Sequence, residues 1–314
     1  MNSKFRIIKT NPAKQLFYCL RTSLLIVLLV SFSHKLSASP QIFQNADSLE
    51  NREVKPLKIL SWNIYMLPRF ALRTGKNRRV KRIIEVLSKE NYDIIVFQEA
   101  FHKGARGRIK NGLKHLYPHR FGPANRKRFS LKANSGIWIV SKIPLRELGE
   151  IDFEQCEGID CWSRKGALMV EGEWQGHPFQ IVGTHLEAGG KHSIRHSQYL
   201  EISEGLLKPF AKKDVPQFIC GDMNTHSTEP EKYGDMLKCL DAKNGELSGE
   251  RRSSCKDGGI IDYILTRANG NPPTSIKKEI KVFEKEWQKE PKILQHIMSP
   301  TLSDHYAVEA IIEF

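Results

Sequence analysis

Six short apolar runs in this chain stop at, or border on, polar residues that can do chemistry. Ser61-Trp62-Asn63 ends the first, Gln98-Glu99 the second, Thr184-His185 the third and Gly221-Asp222-Met223-Asn224 the fourth. Asp262 lies inside a fifth, and Ser303-Asp304-His305 precedes the last. In α/β proteins sites collect where strands end, because the loops there converge over a rigid sheet. Taken singly, Glu99 reads as a solvated strand end, Asp304-His305 as surface and Asp262 as a cap or core hydrogen bond. Six such ends offering Asn, Asp, Glu or His are harder to assign to packing. Carboxylates and amides without a Cys/His cage suit a hard, oxygen-loving ion such as Mg2+. A His beside such an ion suggests phosphoryl chemistry, with the metal polarising a phosphoryl oxygen and the imidazole taking a proton from water. No G-x-S-x-G elbow, H-E-x-x-H pair or Gly-rich phosphate loop is present, so the sequence carries no signature of those chemistries.

In order and rough spacing, Asn63, Gln98-Glu99, Gly183-Thr184-His185, Gly221-Asp222-x-Asn224, Ile261-Asp262-Tyr263 and Ser303-Asp304-His305 resemble the endonuclease/exonuclease/phosphatase superfamily, from about Leu57 to Phe314. The resemblance implies an α/β fold, a four-layer sandwich of two mixed β-sheets packed face to face with helices outside. It also implies roles. Glu99 is the principal metal ligand with Asn63 alongside, and Asp304 touches the metal or its waters. His305 is the general base, oriented and charge-balanced by Asp262. Asp222 positions the nucleophile, Asn224 holds a phosphoryl oxygen, and His185 binds the phosphate or assists the leaving group. Mg2+ is the implied cofactor, with Mn2+ or Co2+ as substitutes.

Within that superfamily, several stretches resemble bacterial neutral sphingomyelinases. These are Asn63-Ile64-Tyr65-Met66-Leu67, Gln98-Glu99-Ala100-Phe101, Ser135–Ser141, and the helix with Arg195-x-x-Gln198 and Glu201-Ile202. Cys156 and Cys161, followed by Arg164-Lys165-Gly166-Ala167, resemble that family's short disulfide loop and N-K-G-F stretch. The implied reaction is hydrolysis of sphingomyelin to ceramide and phosphocholine, with a phospholipid substrate at a membrane surface, a monomeric enzyme and no obligate protein partner. Two departures stand out. His102 occupies a place where that family has Asp, and residues 270–300 hold only Phe283 and Trp287 where it carries an aromatic hairpin. A secreted nuclease or tyrosyl-DNA phosphodiesterase-like enzyme is the alternative, from Thr184-His185-Leu186-Glu187 and from residues 69–132, which hold 18 Lys or Arg against four acids. Such an excess could track a nucleic-acid backbone or an anionic bilayer, or simply be a solvated face. A phosphoinositide-type phosphatase is a further alternative. A catalytically dead binding protein is disfavoured, because no motif residue is missing.

The elements that must position these groups are legible in outline. Strands are expected over 58–65, 92–98, 135–141, 167–174, 179–185, 217–222, 260–266 and 306–314, and helices over 79–89, 106–116 and 193–208. Trp138 and Trp174 lie in strands and read as core. Frequent strands with helices between some of them argue for a mixed layered fold. With 40% hydrophobic and 27% charged residues, the chain has ordinary globular composition. No Pro/Gly-rich linker follows residue 56, so 57–314 reads as one catalytic domain.

Before it, residues 1–39 have the three-part plan of a secretory signal peptide: a basic start, the apolar run 24–32, and Ser37-Ala38-Ser39. That apolar run is shorter than the roughly 20 residues a membrane span takes. Residues 40–56 read as a flexible lead-in, and the expected location is secreted or periplasmic, with or without membrane association. Six of the 49 basic residues and no acidic residue precede Pro40, so the remainder still carries an excess of eight positive charges. That balance favours anionic partners without choosing among them. Export permits disulfides. Cys156 with Cys161, and Cys239 with Cys255, could each close a short loop, while Cys220 in an apolar strand reads as a buried thiol. Zinc is the rival reading for the cysteines, but Cys-x4-Cys alone is a weak zinc signal. His192 and His196 could share a helix face, yet with no further ligand evident they read as surface.

Overall fold

The computed structural model describes residues 6–7, 55–68, 76–127, 130–249, 253–256, 258–283 and 302–314. These described residues form one compact unit. Most of the expected leader and lead-in falls outside the described residues.

Two six-stranded sheets form the inner layers. The first runs β11 (Ser275–Lys281), β12 (Ala307–Glu313), β2 (Leu57–Asn63), β3 (Ile94–Gln98), β5 (Trp138–Ser141) and β4 (His119–Phe121). The second runs β1 (Arg6–Ile7), β6 (Leu145–Asp152), β7 (Gly166–Trp174), β8 (His177–His185), β9 (Gln217–Asp222) and β10 (Asp262–Arg267). Each sheet is antiparallel except for one pair. β2 lies parallel to β3 with α1 (Lys76–Lys89) between them in sequence, and β8 lies parallel to β9 across α3 (His192–Ile202). Parallel neighbours end on the same side, so Asn63 pairs with Gln98 and His185 with Asp222. The expected mixed four-layer sandwich is the one observed.

The central strands are apolar on both faces because the middle of each sheet is covered on both sides. Successive side chains alternate. Ile59, Val96, Ile139, Ile181, Phe218 and Val308 therefore enter the core between the sheets. Leu60, Trp62, Ile95 and Phe97 face Val80, Ile83 and Leu87 of α1 and Ile109 and Leu113 of α2 (Lys103–Leu113). On the other outer face, Val182, Ile219 and Tyr263 meet Tyr199 and Ile202 of α3 and Met236 and Leu240 of α4 (Pro230–Leu240). Trp138 is buried and stacks on Phe97 with ring centroids 5.3 Å apart, whereas Trp174 is only half-buried.

Several boundaries differ from expectation. α1 starts three residues earlier, and the helix expected over 193–208 ends at Ile202 and continues as a π-turn over Ser203–Leu207. β6 and β11 are polar strands that apolar patterning does not reveal. β11 is an edge strand carrying Lys277, Lys278 and Lys281; at the buried Lys278 its outer edge is met by a bridge from Leu247, with Ser248 N–H donating to the Lys278 carbonyl.

Of the two expected disulfides, Cys156–Cys161 is formed, with Cα atoms 5.2 Å apart. Cys239 and Cys255 are not joined to each other, because their sulfurs serve different surroundings. Cys239 Sγ faces His196 and Asp235, while Cys255 Sγ faces the Gly258 carbonyl. Cys220 is buried and free, as its strand position implied.

Candidate active site

Asn63, at the end of β2, is fully buried and donates through Nδ2 to two carboxylates, Glu99 Oε1 at 3.1 Å and Asp222 Oδ2 at 3.0 Å. Its Oδ1 accepts from the Tyr65 N–H. Glu99 follows β3 in the left-handed region, with φ 52°. Tyr65 and Asn224 share that backbone conformation, with φ 49° and 46°. For residues other than glycine this is strained, and such strain concentrates where a side chain must be aimed. The turn after β2 is tied down by Arg79, a buried member of α1 whose guanidinium donates to the carbonyls of Leu302, Tyr65 and Ile64.

From the second sheet come Asp222, His185 and Asp262. Their pairing puts Asp222 directly beside His185 on one side and Asp262 on the other. Asp222 Oδ2 lies 3.6 Å from both His185 Nε2 and His305 Nε2. Its Oδ1 accepts from Asn224 N–H, and Asn224 Nδ2 donates to the Leu186 carbonyl. His305, just before β12, contacts Asp262 Oδ2 through Nδ1 at 2.9 Å. Ser254 donates to the same Asp262 oxygen at 2.8 Å, and its Oγ accepts from the Ile261 and Asp262 N–H groups. Ser303 Oγ donates to the Asn63 carbonyl at 2.7 Å, and Asp304 follows it in the chain. All eight residues singled out from sequence thus meet where the two sheets end.

Burial sets the charges. It pushes Glu99 up to about 7, with the Asp304 charge adding and the Asn63 hydrogen bond opposing. Burial and the Lys165 ammonium push His185 down to about 4, against the pull of Asp222. For His305 burial opposes the charged ring, but the Asp262 and Asp222 carboxylates outweigh it and hold the imidazole near 11. Burial would also raise Asp222, yet His305, His185 and Asn63 keep it below the usual carboxylate range. With no cation charge beside them, the two imidazoles are therefore driven in opposite directions.

Lys165 is the functional-looking residue that motif reading did not single out. It is buried, and its ammonium reaches the Leu186 carbonyl at 2.6 Å, Asp160 at 2.7 Å and His185 Nε2 at 3.2 Å. Facing that ammonium, the neutral His185 ring carries its proton on Nδ1, a buried atom with no hydrogen-bond partner among the described residues. Asp160 lies inside the ring closed by Cys156–Cys161 and also accepts from Ala188 N–H. The signal in the sequence was the Arg164-Lys165-Gly166-Ala167 stretch after the cysteines.

The donor set fits a hard cation. Glu99 Oε2 is buried with no partner among the described residues, and a buried carboxylate oxygen without a donor calls for an explanation such as an ion. His102, where an acid was expected by resemblance, instead caps α2 by accepting from Ala105 N–H at 3.0 Å. The basic stretch is partly structural, since Arg79 and Arg106 spend donors on backbone carbonyls, Arg106 on Phe101 at 2.7 Å.

The sequence profile of the endonuclease/exonuclease/phosphatase family matches residues 60–305. A phospholipase C of Staphylococcus aureus is 26% identical over 299 residues, covering 85% of this chain and 90% of that protein. A sphingomyelinase C of Listeria ivanovii is 29% identical over 274 residues, covering 78% and 77%. The crystal structure of a Staphylococcus aureus beta toxin double mutant with bound magnesium ions superposes with a TM-score of 0.72 at 25% identity, covering 82% of this chain and 99% of that one. The chain belongs to the endonuclease/exonuclease/phosphatase family and is a phosphodiesterase-type hydrolase within it.

Proposed function

We propose that this protein hydrolyses sphingomyelin to ceramide and phosphocholine, with Mg2+ held at Glu99. One observation carries the reading: an unpartnered, buried Glu99 oxygen sits beside the Asp222–His305–Asp262 chain. Relatives named sphingomyelinase C and phospholipase C support the substrate class. Bound there, Mg2+ would polarise a phosphoryl oxygen and set positive charge against the carboxylates that hold the His305 proton. Mn2+ or Co2+ would serve the same oxygen donors. Asp304 stands close enough to raise the Glu99 pKa and would hold the ion or its waters. Asn63 orients the Glu99 carboxylate as it stands. It becomes a ligand only by turning its amide so that Oδ1 leaves the Tyr65 N–H.

His305 acts as general base through Nε2. Asp262 fixes the tautomer at Nδ1, and the Ser254 hydroxyl fixes Asp262. Asp222, between the two imidazoles, positions the attacking water. Neutral His185, with Lys165 against its Nε2, binds the phosphate or serves the leaving group, and Asn224 holds a phosphoryl oxygen. The basic start, apolar run and small residues at the N-terminus support export to the periplasm or beyond, and the Cys156–Cys161 bridge accords with an oxidising destination. A monomer acting at a membrane surface is the simplest form of the reading.

The test is phosphocholine release from sphingomyelin-containing liposomes with Mg2+, with plasmid DNA in the same buffer. Lipid cleavage with intact plasmid is expected. Plasmid cleavage with intact lipid would overturn the substrate and return the basic stretch to a nucleic-acid role.

A further inference from the structure

The two histidines expected at the surface do not stand alone. His192 and His196 lie one turn apart on α3, and Asp235 and Cys239 lie one turn apart on α4, which packs against it. Residues four apart share a helix face, so each helix presents a pair of metal-ligating types toward the other. Asp235 joins them, with Oδ2 2.9 Å from His192 Nε2 and 2.8 Å from His196 Nδ1. Cys239 Sγ lies 3.5 Å from Asp235 Oδ1 and 3.7 Å from His196 Nδ1.

We propose that His196 Nδ1, the Asp235 carboxylate and Cys239 Sγ form a binding site for a thiophilic divalent cation, Zn2+ foremost, that bridges α3 and α4. The spacing is what such an ion imposes. With Zn–S of about 2.3 Å and Zn–N or Zn–O of about 2.0–2.1 Å, tetrahedral ligand atoms lie about 3.6 Å apart for S to N or O and about 3.3 Å apart for N to O. The observed edges are 3.7 Å for Sγ–Nδ1, 3.5 Å for Sγ–Oδ1 and 3.1 Å for Nδ1–Oδ1. A His–Asp ion pair alone needs no thiol at those distances. Packing does not account for the thiol either, because free cysteine is among the most buried of residue types and Cys239 is only half-buried.

The three ligand side chains are partly open to solvent, so an ion can enter and water can take the fourth position. His192 Nε2 holds Asp235 from behind, the kind of outer hydrogen bond that orients a ligating carboxylate. Binding replaces the Cys239 S–H bond by an S–Zn bond and releases that proton to solvent, with no change in oxidation state. The site differs in kind from Glu99, since thiolate and imidazole select Zn2+ over Mg2+. The ion would also stiffen α3, whose Arg195 donates to the Glu187 and Gly190 carbonyls and whose Gln198 accepts from Glu187 N–H, two residues past His185.

Co2+ added to chelator-stripped protein reads this site directly. One equivalent should give the thiolate-to-cobalt charge-transfer band and the strong visible bands of a tetrahedral ion, and Zn2+ should erase them. Glu99→Gln should keep the bands, which separates this site from the catalytic one. Cys239→Ser and His196→Ala should lose the charge-transfer band or shift it, while Cys239→Ser retains its fold by circular dichroism and its Mg2+-dependent turnover. His192→Ala should weaken Zn2+ binding by about 10–100-fold in a chelator competition. Absence of the band in the native protein, or an unchanged band in Cys239→Ser, would overturn the proposal.

Discussion

Replacing Glu99 with Gln should make the protein more stable and inactive at once. The Glu99 carboxyl is lifted from 4.5 to about 7 because burial penalises its charge and Asp304 adds to the penalty. Each pKa unit corresponds to about 1.4 kcal/mol, so ionising Glu99 in the fold costs about 3 kcal/mol at pH 8 without a cation. That is an upper bound, because part of the side chain touches solvent and Gln leaves an amide where Oε2 has no partner. The sign follows from linkage. Below about pH 4 the carboxyl is protonated folded and unfolded, and the substitution gains nothing. As pH rises through 4.5 the unfolded state sheds its proton first, native stability falls, and the advantage of Gln grows until it levels off above 7. Denaturant unfolding in EDTA at pH 4 and pH 8 measures this, and so does Tm, which shifts by about 2–4 °C per kcal/mol for a chain of this size. Saturating Mg2+ at pH 8 should raise the Tm of the native protein and leave that of the variant unchanged. If Glu99→Gln is less stable than native protein at pH 8 in EDTA, the carboxylate is already satisfied by the fold and the argument for a cation there fails.

His305→Ala should lower kcat by about 10²–10⁴-fold; a loss under tenfold would move the base role to His185. Asp262→Asn keeps the shape but removes the carboxylate that fixes the imidazole, so kcat should fall by a similar factor and the acidic limb of the pH–rate profile, set by the His305 base, should move toward lower pH. Lys165→Met leaves Asp160 without its buried partner and should cost about 3 kcal/mol by denaturant unfolding. The same change removes a charge that depresses His185, whose titration by NMR should move up from about 4. Mass spectrometry of unreduced protein should find Cys156 linked to Cys161 and no link between Cys239 and Cys255, and reduction should lower stability by about 2 kcal/mol for so short a loop.

The strands were legible where both faces are buried, because Ile94–Gln98 and Gln217–Asp222 are unbroken apolar runs that stop on polar residues. β6 and β11 were not, since each intersperses charged residues among its apolar ones and β6 carries a bulge between Glu147 and Gly149. Asn63, Glu99, His185, Asp222, Asn224, Asp262, Asp304 and His305, which the fold brings together, could be picked out as candidates because strand ends bear an ordered motif. Lys165 was passed over because a lysine is ordinarily solvated; only the fold puts Asp160 and His185 against it. The same limit hid the α3–α4 cluster. The His192–His196 spacing is visible in one helix, but Asp235 and Cys239 lie some forty residues on and meet it only through helix packing. The Cys239–Cys255 pairing failed for the converse reason, that closeness in sequence did not bring the thiols together.

The reactive groups are divided between the sheets: Asn63, Glu99 and His305 ride on one, and His185, Asp222 and Asp262 on the other. Two hydrogen bonds, Asn63 to Asp222 and His305 to Asp262, cross the seam. The gap between the sheets therefore acts as a calibrated jaw, with the aliphatic filling as its spacer. At Gly183 a single added methyl would sit 2.9 Å from Val96 Cγ1 and 3.0 Å from Ile137 Cγ2, closer than carbon atoms pack, and would wedge the jaw open next to His185. Catalytic rate in this protein is thus a ruler for its interior. Changes far from the chemistry that shift the sheets by a few tenths of an ångström will register in turnover before they register in unfolding.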